Sequence, residues 1–267
     1  MSASEGRLAQ MFLRYVSPLA ELRRVPVLGA WARWAIARVL PRDVMTWVEV
    51  QRGPAKGLWL KLNPRTGHDY FQGVVEPGVQ QTLADYLSAG MTVYDIGANI
   101  GFFSLLAARL VGNEGRVVAF EADPDAAARL REHAARNGFS WIAVEEKAVW
   151  SQTGEVRFVR SDPVTSPDLG LGHVEMDGGA KYSIGVAAVS LDDYAMHAPV
   201  PDFVKCDVEG AEAEVVRGAQ RLLAGKRPVV LCELHSEENR RTLGAEFSRL
   251  GYDSRSCGAN HILAIPR

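Results

Sequence analysis

The sequence predicts an α/β protein of the Rossmann-like type, a mostly parallel sheet with helices on both faces, preceded by a helical appendage. Three observations predict it. From residue 92 onward, strand-like apolar runs alternate with amphipathic helical runs, the mark of repeated β–α units. The strand interiors, such as TVYDIG and RVVAFEA, are almost continuously apolar, as strands covered on both faces must be. The first of these strands runs straight into DIGANIG, a small-residue turn that opens a helix and puts a ligand cradle at the carboxyl end of the strand.

Taken in order, residues 7–40 read as two helices, punctuated by Pro18 and Pro26 and ended by Pro41. Residues 44–62 alternate about Gly53-Pro54 and read as a β-hairpin. A helix is predicted over 76–89, with Val79, Leu83, Tyr86 and Leu87 apolar. Strand 92–97 is followed by helix 100–111. Strand 116–122 is followed by helix 124–137, which opens on Asp123-Pro124, an N-cap with proline at the first helical position. The run WIAVEEKAV predicts one strand over 141–149. Strand 201–210 leads into helix 211–223, strand 227–234 into helix 237–250, and two last strands fall near 252–257 and 261–266. Residues 151–190 break the rhythm: GEVRFVR and VAAVSL read as strands around a Gly-rich segment. This stretch is expected to form an acceptor-facing insertion, with His173, Asp177 and Tyr182 as candidate contacts. The division expected is an appendage over 1–45 and a catalytic domain over 46–267.

Charge narrows the partners. A net charge of −2 argues against a general nucleic-acid binder. The charge is uneven, however: residues 1–42 hold seven arginines against Glu5 and Glu21. In that segment Leu28, Trp31, Ala35 and Val39 approximate one helical face. The plain expectation is a helix packed on the main domain, and the sharper one a peripheral membrane contact through residues 19–42. The run 30–40 is interrupted by Arg33 and Arg38 and is too short to span a bilayer. Residues 1–25 lack an uninterrupted apolar leader, so the expected location is cytoplasmic or membrane-peripheral. Cys206, Cys232 and Cys257 form no CxxC pair, and the first two fall in core strands, where they are expected as small buried thiols.

The cradle comprises Asp95, Gly97, Ala98, Asn99 and Gly101. Its glycines are spaced GxxxG rather than GxGxxG, and no GxxxxGK[ST] run is present. A carboxylate at Asp95 repels a pyrophosphate but suits a ligand with ammonium and sulfonium groups, which points to S-adenosylmethionine (SAM). Glu121, 20 residues after Gly101 and followed by Ala122, ends the second strand where an acid can accept both ribose hydroxyls. Lys147 and Ala148 end the third strand, at the expected adenine position. Asp207 and Glu209 end the fourth strand and Glu233 and His235 the fifth, so all four are expected to converge near the sulfonium. Methyl transfer to a hydroxyl needs an aligned acceptor and a proton acceptor, and Asp207 and His235 are the candidate bases. These side chains could also hold a divalent cation, although their spacing requires none. No [DNS]PP[YFW] segment or Pro-Cys nucleophile is present to suggest a nucleic-acid methyltransferase.

Together, VYDIGANIGFFSLLAA, VVAFEADPDAAARLREHAARN, VSLDDY, FVKCDVEGAEAEVVRGAQ and PVVLCELH resemble the FkbM-type SAM-dependent methyltransferases over roughly residues 70–265. The resemblance implies a class I methyltransferase fold with a seven-stranded sheet whose last strand is antiparallel. It implies O-methylation of hydroxyls on sugars, polyketides or related metabolites. It matches Asp95, Gly97, Asn99 and Gly101 to the methionine-side turn, Glu121 to the ribose acid, and Asp207 and Glu209 to an Asp-Val-Glu-Gly segment. Glu76, in VVEPGVQ, matches an acid bordering the cofactor. Cys206 departs from the aliphatic residue expected at its position. Two other readings stand beside a small-molecule or glycan acceptor: a lipid-linked acceptor at a membrane surface, and a SAM-binding module without transfer activity. The residues indicate no oligomeric state.

Overall fold

The computed structural model describes residues 45–63, 66–160, 172–175, 182–258 and 260–267. The two helices predicted over 7–40, and with them the membrane contact through 19–42, lie outside these residues, as does Asp177. Among the described residues no helix is long and apolar enough to cross a membrane. The chain divides into two compact units between Pro77 and Gly78. Residues 46–77, expected as part of the catalytic domain, thus fall in the first unit.

In the first unit, β1 (Thr46–Glu49) and β2 (Trp59–Leu62) form the expected hairpin, antiparallel with Thr46 opposite Leu62. Their inward residues Val48, Leu60 and Leu62 are buried. The short helix α1 (His68–Gln72) ends on Gly73 in the left-handed conformation.

The second unit begins within α2 (Pro77–Tyr86), followed by β3 (Thr92–Ile96), α3 (Phe102–Val111), β4 (Arg116–Phe120), α4 (Pro124–Asn137), β5 (Ile142–Glu145) and β6 (Ala148–Val149). Next come β7 (Gly154–Val159), β8 (His173–Val174), β9 (Ser183–Val189), α5 (Leu191–Tyr194) and β10 (Phe203–Cys206). The chain ends with α6 (Glu212–Arg217), α7 (Gln220–Gly225), β11 (Val229–Glu233), α8 (Glu237–Arg249), β12 (Tyr252–Cys257) and β13 (His261–Pro266). Seven strands make the main sheet, in the order β12-β13-β11-β10-β3-β4-β5. β3, β4, β5, β10 and β11 are parallel, while β13 runs antiparallel to both β11 and β12. The order reverses between β3 and β10, so a crevice opens at their carboxyl ends.

Buriedness on both faces explains the apolar strands. Tyr94, Ile96, Val118, Phe120, Val204, Cys206, Val230 and Cys232 form one face and pack with Val215, Val216, Leu222, Leu223, Leu243 and Phe247 of α6, α7 and α8. On the other face Ala119 packs with Leu130 of α4. α4 starts as predicted: the Asp123 carboxylate accepts the N–H groups of Asp125 and Ala126 at 2.8 and 3.3 Å, and Gly138 closes the helix in the left-handed conformation.

Three expected elements are corrected. The single strand over 141–149 is two: at Glu145–Lys147 the chain turns, with the Lys147 N–H bonded to the Glu145 carbonyl, and β6 leaves the main sheet to pair with β9. The single helix over 211–223 is also two, broken at Gly218, where a Cβ would lie 2.2 Å from the Trp150 carbonyl oxygen. The strand over 201–210 stops at Cys206. The interrupting segment supplies a second sheet, in the order β6-β9-β7-β8.

Candidate active site

The crevice at the switch point widens into a cavity of about 380 Å³. Ile96, Gly97 and Asn99 line it from the first turn, and Phe120 to Asp123 from the end of β4. Lys147 and Ala148 lie along it, and Asp207, Val208 and Glu209 form the β10 side. The second sheet contributes Phe158, Arg160, His173, Val174 and Tyr182.

The first turn is shaped by close packing. Gly97 has φ +73°, and a Cβ on it would sit 1.7 Å from the Asp207 carbonyl oxygen. Gly101 has φ +88°, and a Cβ there would press on Leu130 at 2.5 Å, so this glycine serves helix packing. Ala98 is buried, its N–H bonded to the Phe120 carbonyl, and neither it nor Gly101 lines the cavity. Asn99 takes a left-handed φ of +51°, which asparagine tolerates.

Glu121 is buried at the cavity wall. Its Oε1 accepts the Asp123 N–H at 2.8 Å and its Oε2 the Asn99 N–H at 2.6 Å. Each oxygen keeps a further lone pair for a ligand hydroxyl. Burial drives the carboxyl up to about 7, against these two backbone donors.

Asp95 is placed differently from the expected direct cofactor ligand. It is 1% exposed and does not line the cavity. Its Oδ2 accepts the Ser104 hydroxyl at 2.6 Å, and its Oδ1 lies 3.5 Å from the Lys205 ammonium. Lys205 stands opposite Asp95 in the β3–β10 register, is 4% exposed, and reaches Asp207 Oδ2 at 3.4 Å. One buried ammonium therefore joins two carboxylates beneath the crevice. Sequence reasoning assigned Lys205 no role, because the pairing depends on which strand lies beside β3. Removing it leaves buried acid uncompensated. Lys205→Met is expected to destabilise the protein by about 3–5 kcal/mol, read by denaturant unfolding, with part regained when Asp95→Asn is added.

The four predicted catalytic residues do converge. His235 Nε2 lies 3.3 Å from Glu209 and 3.9 Å from Glu233, and its Nδ1 3.0 Å from Glu212. Asp207 and Glu233 bring carboxylate oxygens within 4.8 Å of one another. Burial pushes the Asp207 carboxyl up, but Lys205 and the neighbouring His235 help hold the group below its usual range. Strand alternation is not what unites Asp207 and Glu209: the strand has ended, and Glu209 takes a left-handed φ of +54°.

Glu212, unmarked in the sequence reading, organises this loop. Its fully buried carboxylate accepts the Val208 N–H at 3.2 Å, the Gly210 N–H at 3.1 Å and the Asn239 amide, besides meeting His235. The bonds with Glu209 and Glu212 raise His235 from 6.5 to about 10 against the effect of burial. The imidazolium donates from both nitrogens, to Glu209 and Glu212. Asp207, Glu233 and His235 bring ligand atoms within 4.8 Å of one another. Because the folded-state value is the higher one, the clamp contributes fully below pH 6.5 and is lost as pH rises toward 10. Thermal midpoints of the protein and of His235→Asn should therefore differ most at pH 6 and approach one another by pH 9.5.

Glu76, the remaining predicted cofactor contact, belongs to the first unit, where its φ is +38°.

The sheet order and the switch-point cavity define a Rossmann-like α/β fold with a ligand crevice at the carboxyl ends of its strands. More narrowly, residues 95–255 match the methyltransferase FkbM domain, and the chain belongs to that family. A curated relative, the hexuronic acid methyltransferase AglP of Haloferax volcanii, is 28% identical over 163 residues, covering 60% of this chain. The matched region spans 63% of that relative's length. Among solved structures, a methyltransferase FkbM from Methylobacillus flagellatus is 19% identical with a TM-score of 0.48, covering 73% of this chain and 46% of its own. A SAM-dependent O-methyltransferase from Thermotoga maritima is 11% identical with a TM-score of 0.47, covering 83% and 78%.

Proposed function

We propose that the protein is an O-methyltransferase that methylates a hydroxyl of a sugar or glycan. The observation that carries this reading is the Asp207 carboxylate, a proton acceptor that lines the cavity at the end of β10, 3.4 Å from Lys205. The residues present fit SAM. Carboxyls outnumber cations at the ends of β10 and β11, which suits a cationic group, and Glu121 retains free lone pairs for ribose hydroxyls. Ala122, Lys147 and Ala148 border the adenine end, and Gly97 and Asn99 the methionine end.

When bound, SAM supplies a methyl group made electrophilic by its positively charged sulfur. Asp207 accepts the proton of the acceptor hydroxyl as the oxygen attacks. Lys205 keeps that carboxylate charged and fixed, and the His235 clamp holds the loop that follows it. Glu209 beside Asp207 makes this side of the cavity acidic, which favours a neutral hydroxyl over an anionic acceptor.

The relative's name, a hexuronic acid methyltransferase, suggests a sugar acid as acceptor, which opens a second reading in which its carboxylate rather than a hydroxyl takes the methyl group. Transfer of labelled methyl groups from SAM to a panel of hexoses and uronic acids separates the two. A methyl ether keeps its label in mild alkali, as expected. A methyl ester releases labelled methanol and would shift the assignment to the carboxylate. No product with any sugar would point to another acceptor or to a binding module.

A further inference from the structure

Arg160 stands at the end of β7, where the second sheet meets α4 across the cavity. Its Nε donates to Asp123 Oδ2 at 2.8 Å and its Nη2 to Asp123 Oδ1 at 3.0 Å, and the same Nη2 also bonds Asp125. Its backbone N–H donates to the Tyr182 carbonyl at 2.8 Å, which ties it to the chain entering β9. Arg160, Asp123, Asp125 and Tyr182 all line the cavity. Asp123 links this group to Glu121, because its N–H donates to the Glu121 carboxylate while its own carboxylate caps α4. A planar guanidinium suits this duty, since its fork engages a carboxylate through two parallel bonds at one fixed angle.

We propose that Arg160 is a latch for the adenosine end of the cofactor cavity. It holds the wall of Phe158 and Val174 against the start of α4, and so fixes Asp123 and, through it, Glu121. It is a positioning residue and acts through those two acids. Two carboxylates against one guanidinium leave the latch net negative, so it favours an uncharged nucleoside end over a phosphorylated one. The proposal rests on the reading above that SAM lies with its adenosine beside Glu121.

The test is calorimetric binding of SAM, S-adenosylhomocysteine and 5′-methylthioadenosine to the full chain and to Arg160→Gln and Arg160→Lys. All three ligands contain the adenosine part, and the last lacks the amino-acid end. Arg160→Gln is expected to weaken all three by a common factor on the order of tenfold, about 1.4 kcal/mol. Arg160→Lys, which keeps the charge and loses the fork, should lose less. Unchanged affinities with a lowered thermal midpoint would overturn the latch and leave a stabilising ion pair. Weaker SAM and S-adenosylhomocysteine with unchanged 5′-methylthioadenosine would overturn it by placing the effect at the amino-acid end. Failure of the unaltered protein to bind any of the three would overturn the cofactor reading, and the latch with it.

Discussion

Asp207→Asn is expected to reduce methyl transfer by about 10²–10⁴-fold, the range typical for loss of a general base, while SAM affinity changes by less than about threefold. Asparagine keeps the size of the side chain and leaves an oxygen for Lys205, so the crevice retains its shape. The lost property is the capacity to take a proton. His235 cannot replace it, because its imidazolium already donates to Glu209 and Glu212. Single-turnover transfer combined with calorimetry separates the two effects. A parallel loss of binding and transfer would instead mark Asp207 as part of the cofactor cradle.

Gly97→Ala is expected to have the largest structural effect. The position needs φ +73°, and the new Cβ would lie 1.7 Å from the Asp207 carbonyl oxygen, a rigid backbone atom. The left-handed conformation and the forced displacement each cost about 1–3 kcal/mol, and the displacement pushes the end of β10 away from β3. Both cofactor binding and the placement of Asp207 should fail together. Gly210→Ala is the control: its φ is +103°, but nothing lies within 4 Å of the added carbon, so it carries the backbone cost alone. Comparable losses in the two variants, by thermal unfolding and SAM binding, would show that contact with Asp207 is unimportant.

What was legible in the sequence followed from local chemistry. The N-cap at Asp123 and Pro124 placed α4 to the residue, and the two last strands expected near 252–257 and 261–266 are β12 and β13. The turn after β3 and the acid at Glu121 were readable because they join a strand to a helix in a few residues. What was not legible depended on distant backbone. α6 parts from α7 at Gly218, whose carbonyl accepts the Asp192 N–H while the Asp192 carboxylate takes the Arg221 and Leu222 N–H groups, and an apolar periodicity carries no trace of that. Asp95 was read as a ligand because it ends a strand at the cradle, yet its partner Lys205 lies in a strand 110 residues away, and together they form a buried ion pair. Glu212 passes for an ordinary acid at a helix start until the loop before it is seen to curl its N–H groups onto the carboxylate. Arg160 follows a strand in the least patterned segment of the chain, and only the fold brings it to Asp123.

The most direct test of the account is a structure with S-adenosylhomocysteine bound. The account predicts ribose hydroxyls on the Glu121 carboxylate, the adenine beside Ala148 and Phe158, and the sulfur facing Asp207. A ligand lying elsewhere, or one whose sulfur points away from Asp207, would contradict it.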